Sequence, residues 1–326
     1  MKSHRVHVRT PSRLHFGLLG WGPEVARQFG GVGLMIDSPG IELTAEAAPR
    51  WLTDGLLAAR VARIITQLCE RSVDSEINLI PARICVEAAP EEHLGLGVGT
   101  QLSLAVARAV LKLAGIEGYT ASELARLTGR GARSGVGLHG FYHGGLIVDG
   151  GRKDDAGIPP LLAQLCFPDD WSILIVQPAG TGGLHGFNET RAFANLPPIS
   201  RAAGDSLCRL VLLEILPAVL EHDLNAFGSA LGALQERVGA GFASAQGGIY
   251  ATPHAALIVG ELKKLGFAGA GQSSWGPTLY AFSEMPCEEI ELVAEKLRAR
   301  FALEPSSIFC TKAANQGAVL SELTPS

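Results

Sequence analysis

Three glycines alternate with other residues at Gly95, Gly97 and Gly99, directly before an apolar run at 100–114 whose periodicity predicts a helix. The segment before them, 82–88, is rich in β-branched and apolar residues and predicts a strand. A strand, a glycine loop and a helix in this order are typical of an anion site, because unpaired N–H groups at a helix start attract negative charge. A tight turn is the simpler alternative, but a single glycine would suffice for a turn.

This loop matches neither standard phosphate-binding pattern. A Walker A loop needs a lysine before its Ser/Thr, whereas Thr100 directly follows Gly99, and a dinucleotide fingerprint needs GxGxxG rather than GxGxG. Polar residues nevertheless flank the glycines. We therefore predict an anion-binding loop that comprises His93, Gly95, Gly97, Gly99, Thr100 and Gln101.

Segment 129–145, GRGARSGVGLHGFYHGG, places Arg130 and Arg133 among glycines. Two guanidinium groups on such a backbone suit a phosphate or a carboxylate. His139 and His143 have the i,i+4 spacing of metal ligands on a helix, but no HExxH glutamate accompanies them. Hydrogen-bonding or structural roles are therefore the preferred interpretation of these histidines.

Two later segments allow two interpretations each. Segment 180–193 places His185, Asn188 and Glu189 after a predicted strand. This segment is either a ligand-binding loop or an ordinary helix start. Segment 269–282, GAGQSSWGPTLYAF, offers donors beside a tryptophan for an anion, or a glycine-rich hairpin turn. A common-fold phosphoribosyltransferase is disfavoured, because ILIVQPAGTGG at 173–183 lacks the two acids expected after its strand.

Composition narrows the classes of function. The 326 residues are 47% hydrophobic and 18% charged, which predicts a packed enzyme-like chain, and the net charge of −5 with no Lys/Arg-rich run argues against nucleic acid as a partner. No apolar stretch is long enough to span a membrane and no signal peptide is evident, so we expect a cytoplasmic protein. Six cysteines without a CxxC pair predict reduced thiols rather than a zinc site or a disulfide framework.

Alternating strands and helices must position these residues. The strands are predicted at 6–9, 82–88, 145–149, 171–176, 269–282 (with a loop) and 307–311, the last of which closes the chain. A loop is predicted at 10–22, and a glycine-rich segment with Asp37 at 30–44, followed by a strand. The helices are predicted at 54–70, 100–114, 121–127, 204–221, 224–237, 254–265 and 287–301. Turn residues at 150–160, and a second turn after them, favour a domain boundary near 168.

Three separated segments resemble motifs 1, 2 and 3 of the GHMP superfamily, which includes galactokinase, homoserine kinase, mevalonate kinase and phosphomevalonate kinase. They are TPSRLHFGLLG at 10–20, HLGLGVGTQLSLA at 93–105 and GAGQSSWGPTLYAF at 269–282. The resemblance covers nearly the whole chain and implies an α+β, GHMP kinase-like fold. It implies a domain similar to ribosomal protein S5 domain 2 at 1–167, a ferredoxin-like domain at 168–326, and an anion site between them.

Two departures weaken an ATP-dependent kinase reading. GHMP kinases usually carry a Ser/Ser pair after the second motif's GLG, whereas Val98 and Gly99 stand here before Thr100. Several also use a catalytic Asp in an SG[VI]D segment, where this chain has Gly137. A general base for a substrate hydroxyl is therefore missing at the expected position.

The altered segments resemble one GHMP branch, the β-ribofuranosylaminobenzene 5′-phosphate synthase family, with its RLHFGL, HxGLGxGTQ, RSGxGxHGFxxGG and GxGQSSWGP patterns. The resemblance implies a decarboxylating pentosyltransferase of tetrahydromethanopterin biosynthesis. It would join 5-phosphoribosyl 1-diphosphate to 4-aminobenzoate or 4-hydroxybenzoate and release CO₂ and diphosphate. Mg²⁺ is the implied ion. A small-molecule kinase and a non-catalytic small-molecule-binding protein remain the alternatives.

This reaction assigns expected roles to residues. Loop 95–101 would hold diphosphate, the arginines would bind phosphate or the benzoate carboxylate, and a histidine would stabilise or protonate the intermediate as CO₂ is lost. The expected catalytic residues are His15, His139 and Arg133. Besides the loop residues above, the expected substrate contacts are Arg13, Arg130, Ser134, Gly271, Gln272, Ser273, Ser274 and Trp275. The expected Mg²⁺ ligands are among Asp37, Asp149 and Glu189. A homodimer is expected from the frequency of two-fold assemblies.

Overall fold

Two long antiparallel strands occupy the start of the chain, β1 at Arg5–Gly20 and β2 at Phe29–Ala47. The computed structural model of the protein describes residues 5–74, 76–154, 157–179 and 186–323. The loop expected at 10–22 is wrong, because β1 continues through it with two irregularities in its register, at Thr10/Ser12 and His15/Gly17. Bulges of this kind let a strand bend without ending.

The first sheet contains both of these strands. Its other strands are β3 (Leu52–Gly55), β4 (Ala82–Ala88), β5 (Leu146–Asp149), β6 (Leu161–Leu165) and β11 (Val319–Leu323). The strand order is β11-β1-β2-β4-β3, and β5 joins β2 to β6. The helices of this half are α1 (Ala58–Asp74), α2 (Val98–Leu113), α3 (Ala121–Thr128) and α4 (Val136–His143).

The second sheet is antiparallel and has four strands. These are β7 (Ser172–Val176), β8 (Ala268–Gln272), β9 (Leu279–Ser283) and β10 (Ile308–Thr311). Their order, β10-β7-β9-β8, places the first and third strands in the centre, which is the ferredoxin-like arrangement that the sequence predicted.

Helices cover this second sheet and connect its strands. They are α5 (Gly186–Asn195), α6 (Arg201–Leu210), α7 (Leu216–Leu220), α8 (Leu224–Gln246), α9 (Pro253–Lys264) and α10 (Cys287–Phe301). A π-helical turn at Val211–Ile215 joins α6 to α7, and a 3₁₀ turn at Pro305–Ser307 precedes β10. The helix predicted at 224–237 continues to Gln246, and its extension carries residues that reach the cavity described below.

One hydrophobic core connects the two sheets. The ring centroid of Phe16, on β1, lies 5.1 Å from that of Tyr280 and 6.1 Å from that of Phe282, both on β9. The final strand β11 also returns to pair with β1, so the strand at 307–311 does not close the chain as expected. The domain boundary near 168 stays a prediction.

Two cysteines form a disulfide, which corrects the expectation of reduced thiols throughout. Cys287, at the start of α10, bonds to Cys310 on β10. The sequence separation of 23 residues gave no local pattern, because packing of the helix on the strand brings the thiols together. The other four cysteines, Cys69, Cys85, Cys166 and Cys208, are free.

Candidate active site

A cavity of about 430 Å³ lies between the two sheets and is lined by all three GHMP-like segments. Most of the residues expected to contact substrate reach its surface. These are Arg13, His15, His93, Gly95, Gly97, Gly99, Thr100, Arg130, Arg133, Ser134, Glu189, Gln272, Ser274 and Trp275.

Ser273 ties the three segments together beneath the cavity. Its hydroxyl accepts a hydrogen bond from the backbone N–H of His15 at 3.0 Å and donates one to the carbonyl oxygen of Gly95 at 2.7 Å. The backbone N–H of Ser274 donates to the carbonyl oxygen of His15 at 3.0 Å. A Cβ at Gly95 would lie 2.6 Å from the Ser273 carbonyl oxygen, so this glycine permits two loops to approach closely.

The start of α2 offers an anion site. Gly97 caps the helix with φ of 76° and supplies no side-chain partner to the first N–H groups. A Cβ at Gly99 would lie 3.1 Å from an Arg60 nitrogen and 3.7 Å from an Arg130 nitrogen. Two guanidinium groups therefore face the helix start, whose dipole also favours negative charge.

Buried arginines add to this positive end of the cavity. Burial lowers the pKa of Arg13 to about 10, and burial followed by the charge of Arg60 lowers the pKa of Arg130 to about 10. Both groups stay protonated at neutral pH. Arg13 Nε and Nη1 are buried and have no hydrogen-bond acceptor among the described residues. Because buried donors without acceptors are costly, these two nitrogens favour an anionic ligand.

His15 belongs to a hydrogen-bonded chain that ends on Asp149. His15 Nε2 lies 3.0 Å from Ser134 Oγ, which donates to Asp149 Oδ2 at 2.9 Å. The N–H groups of Gly135 and Gly151 also donate to this carboxylate, at 2.8 and 2.9 Å. Since the single Ser134 proton goes to Asp149, His15 Nε2 is the donor to Ser134, and Nδ1 carries the free lone pair.

The pKa shifts agree with a neutral His15. Burial, followed by the charge of Arg13, lowers the pKa of His15 well below 6.5. Burial raises the pKa of Asp149, although its three hydrogen-bond donors oppose this shift. Gly31 lies against the chain, since a Cβ there would come within 2.6 Å of Ser134 Oγ and 3.0 Å of His15 Nε2. The hydrogen bonds from His15 through Ser134 to Asp149 thus require glycine at position 31.

Several predicted site residues do not line the cavity. Gln101 is buried, where its amide donates to the Gly137 carbonyl oxygen at 2.7 Å and its oxygen accepts from Thr10 Oγ1 at 2.7 Å. His139 Nε2 lies 2.8 Å from the carbonyl oxygen of Pro159, a structural contact on α4. Gly271 packs against Gln235 of α8. Ser273 and Asp149 do not line the cavity either, and they make the hydrogen bonds described above.

The carboxylates that reach the cavity are both paired with arginines. Glu189 accepts from Arg133 Nη2 at 2.9 Å, and Glu92 lies 3.5 Å from Arg60 Nη1. Glu92 and Arg60 had no sequence pattern that marked them. By contrast, Asp37 is an exposed partner of Arg9 at 3.0 Å and lies outside the cavity lining.

Another group of possible metal ligands lies away from the cavity. His7, Glu42 and Glu87 bring ligand atoms within 4.8 Å of one another. Arg5 lies 3.6 Å from Glu87 and Arg9 lies 3.7 Å from Glu42, so arginines already neutralise both carboxylates. This group forms a charged ladder on the sheet surface.

Residues 180–185, including His185, lie outside the described part of the chain. The backbone of 186–195 forms α5, which agrees with the helix-start interpretation of Asn188 and Glu189, and Glu189 also reaches the cavity. Helices also supply cavity residues that the sequence did not mark: Phe193, Gln235, Val238, Phe242 and Gln246.

Comparison with known proteins agrees with the fold and site. Residues 215–303 match the family model described as GHMP kinases C terminal. The solved structure of homoserine kinase from Cytophaga hutchinsonii aligns over 97% of both chains with a TM-score of 0.64 and 15% identity. The expected GHMP kinase fold is confirmed.

Two curated relatives define the family more narrowly. The chain is 34% identical to β-ribofuranosylphenol 5′-phosphate synthase of Archaeoglobus fulgidus, over 96% of this chain and 98% of that protein. It is 32% identical to the protein of the same name from Methanothermobacter thermautotrophicus, with the same coverage. The chain belongs to the β-ribofuranosylphenol 5′-phosphate synthase family, and it is an enzyme of that family that acts on small molecules. Among the described residues, no helix is both long and apolar enough to cross a bilayer.

Proposed function

We propose that the cavity joins 5-phosphoribosyl 1-diphosphate to 4-hydroxybenzoate, or to 4-aminobenzoate, and releases CO₂ and diphosphate. The names of the relatives specify a ribofuranosylphenol product, which favours the hydroxy compound. The resemblance of the sequence motifs implies that this is a step of tetrahydromethanopterin biosynthesis. The observation that carries the proposal is a strongly cationic cavity end with no unpaired carboxylate base among the described residues that line it.

The position of the missing kinase aspartate supports this choice. A Cβ at Gly137 would already lie 3.3 Å from Thr100 Cγ2 and 3.5 Å from Gln101 Nε2. An aspartate there would have to fit against both neighbours, and the glycine that this chain carries supplies no carboxylate. Hydroxyl deprotonation by a carboxylate, as in a kinase of the Asp type, therefore has no place at this position.

Decarboxylating coupling needs no net proton transfer. The ring carbon that bears the carboxylate attacks the anomeric carbon, while the bond from that carbon to diphosphate breaks and its electron pair leaves with diphosphate. The bond to the carboxylate carbon then breaks, its electrons restore the aromatic ring, and CO₂ departs. Catalysis must stabilise positive charge at the anomeric carbon and the departing polyanion.

The residues of the cavity suit these demands. The N–H groups at the start of α2, with Arg60 and Arg130, would bind the departing diphosphate. Arg13 would add a third cation, since its two buried nitrogens have no acceptor among the described residues. Neutral His15 would offer the Nδ1 lone pair to the electron-poor intermediate without adding positive charge.

We expect Mg²⁺ to bind at the same end of the cavity together with the diphosphate. Mg²⁺ in such sites takes one or two carboxylates and substrate phosphate oxygens, and it neutralises the charge of the diphosphate when bound. Glu92 lies beside Arg60 at the helix start and would hold the ion; Glu189 is the alternative. Asp37 and Asp149 are less suited, because neither reaches the cavity.

Product analysis tests the proposal. Protein, Mg²⁺, 5-phosphoribosyl 1-diphosphate and 4-hydroxybenzoate should yield a decarboxylated aryl riboside phosphate, detected by mass spectrometry. A parallel reaction with ATP and a panel of small alcohols should yield no phosphate ester. The reverse pattern would support the small-molecule kinase, and binding without turnover of either set would support a non-catalytic protein.

A further inference from the structure

One wall of the cavity is apolar and comes from the second half of the chain. The Trp275 ring centroid lies 5.3 Å from that of Phe193 and 4.8 Å from that of Phe242. Phe193 and Phe242 are half-buried, and Val238 and Ile249 extend the wall. Ile249 is 43% exposed although it is a large apolar residue. An accessible aromatic wall of this composition suits a flat apolar ligand.

Arg133 connects this wall to the polar end. Its guanidinium carbon lies 5.1 Å from the centroid of the Phe193 ring, and Nη2 donates to Glu189 at 2.9 Å. Nη1 is buried and has no hydrogen-bond acceptor among the described residues. An arginine stacked on an aromatic wall with a donor to spare matches a carboxylate attached to an aromatic ring.

We propose that Phe193, Phe242, Trp275 and Ile249 bind the aryl ring, and that Arg133 donates hydrogen bonds to its carboxylate. The inference rests on the proposed function and divides the arginines: Arg133 serves the aryl carboxylate, and Arg60 and Arg130 serve the diphosphate. The product has lost the carboxylate and therefore cannot form the ion pair to Arg133. We expect it to bind more weakly than the substrate and to leave the site readily.

Isothermal titration separates the two anion sites. The full chain is titrated with 4-hydroxybenzoate and with phenol in the presence of Mg²⁺ and diphosphate, and separately with diphosphate and Mg²⁺ alone. Arg133→Gln should weaken 4-hydroxybenzoate binding at least tenfold, leave phenol binding unchanged and change diphosphate binding less than twofold. Arg126→Gln is the matched control, because Arg126 is exposed on α3 and does not line the cavity.

Variants of the wall test the ring contact separately. Ile249→Ser, at an exposed position that tolerates a polar residue, should weaken both 4-hydroxybenzoate and phenol about fivefold and leave diphosphate binding unchanged. Phe242→Leu should act in the same direction, and circular dichroism checks its fold. The subsite is wrong if Arg133→Gln weakens diphosphate instead of 4-hydroxybenzoate, or if wild type binds no 4-hydroxybenzoate at millimolar concentration. If Ile249→Ser weakens ATP binding more than it weakens 4-hydroxybenzoate binding, the wall is an adenine site and the aryl subsite is also wrong.

Binding and turnover give different answers if only one idea fails. Arginine-dependent binding of 4-hydroxybenzoate without riboside formation would refute the proposed function and keep the subsite. Riboside formation at an unchanged KM for 4-hydroxybenzoate in Arg133→Gln would refute the subsite and keep the proposed function.

Discussion

Arg13 shows how a residue can favour function at a cost in stability. Its guanidinium is buried with a pKa of about 10, and two of its nitrogens have no acceptor among the described residues. Burying a cation is costly, and the charge of Glu189 opposes this cost only in part, since burial is the larger effect on the Arg13 pKa. A nearby anionic ligand would therefore offset a penalty that the free protein already carries.

We expect Arg13→Gln to separate stability from binding. The variant should unfold at the same temperature as wild type or higher, because it removes a buried charge, and it should lose most of the stabilisation that diphosphate gives wild type. Thermal unfolding with and without diphosphate and Mg²⁺ measures both. Arg9→Gln, at an exposed ion pair, is the control and should keep the ligand effect. A variant that is less stable without ligand and equally stabilised by it would contradict this role.

His15 should make stability sensitive to mild acid. The pKa of His15 in the folded protein lies well below 6.5, its ordinary value in the unfolded chain. At a pH between the folded and unfolded pKa, the unfolded chain binds a proton that the folded chain does not. The stabilisation from neutral His15 is therefore complete above pH 6.5 and falls as the pH drops, by up to about 1.4 kcal/mol per pH unit.

The matching substitution is His15→Gln, whose amide can still donate to Ser134. Between pH 7 and pH 5, the free energy of unfolding should fall more steeply for wild type than for the variant. Urea unfolding across this range measures the difference. Equal slopes would mean that folding does not lower the pKa of His15.

At the residue scale, the glycine spacing marked Gly97 and Gly99 as parts of a loop before a helix, and both lie at the start of α2. This was predictable because such a loop needs local backbone freedom. The sequence did not reveal Arg60, which reaches the cavity because α1 packs beside α2. It did not reveal Glu92 either, which lies in the loop before α2 and pairs with Arg60. It also assigned Gln101 to the ligand, although its amide connects α2 to α4. A buried polar side chain and a ligand contact look alike until the partner is known.

At the scale of elements, α2 is the device that gathers anion-binding groups. Its start combines N–H groups that have no side-chain cap with guanidinium groups contributed by α1 and by the turn after α3. The helix and its preceding loop were predictable because apolar periodicity follows a glycine cluster. The continuation of β1 through Arg13 and His15 was not, because bulges and glycines there have the composition of a loop.

A charge placed at this helix start should compete with the substrate. Gly99→Asp adds a carboxylate between Arg60 and Arg130, where the helix dipole favours it by about 0.3–1 kcal/mol. The variant should keep the unfolding temperature of wild type, and the KM for 5-phosphoribosyl 1-diphosphate should rise at least tenfold. Gly260→Asp, on α9 with no atom within 4 Å of its Cβ position, is the control. An unchanged KM in Gly99→Asp would exclude the α2 start from the donor site.

On the scale of the whole molecule, the cavity depends on both halves of the chain being held together. The shared core at Phe16 and the return of β11 to β1 make this connection, and sequence periodicity cannot show either contact. The ferredoxin-like order of the second sheet was predicted through resemblance alone. The homodimer stays a prediction that light scattering would test.

The disulfide should stabilise the second half without affecting the site. A link that closes a loop of 23 residues contributes about 3 kcal/mol. Cys310→Ser should lower the free energy of unfolding by that order, and a reductant should have the same effect on wild type and none on the variant. The KM values should not change, since neither cysteine lines the cavity. Equal stability of oxidised wild type and the variant would contradict a stabilising link.

The central claim concerns the coupling of two bond cleavages. With 4-hydroxybenzoate labelled with ¹³C at the carboxyl carbon, 5-phosphoribosyl 1-diphosphate and Mg²⁺, we expect one labelled CO₂ for each diphosphate released. We expect none when ATP replaces the phosphoribosyl donor. Labelled carbon that stays in the product, or diphosphate released without matching CO₂, would contradict decarboxylating ribosyl transfer at this site.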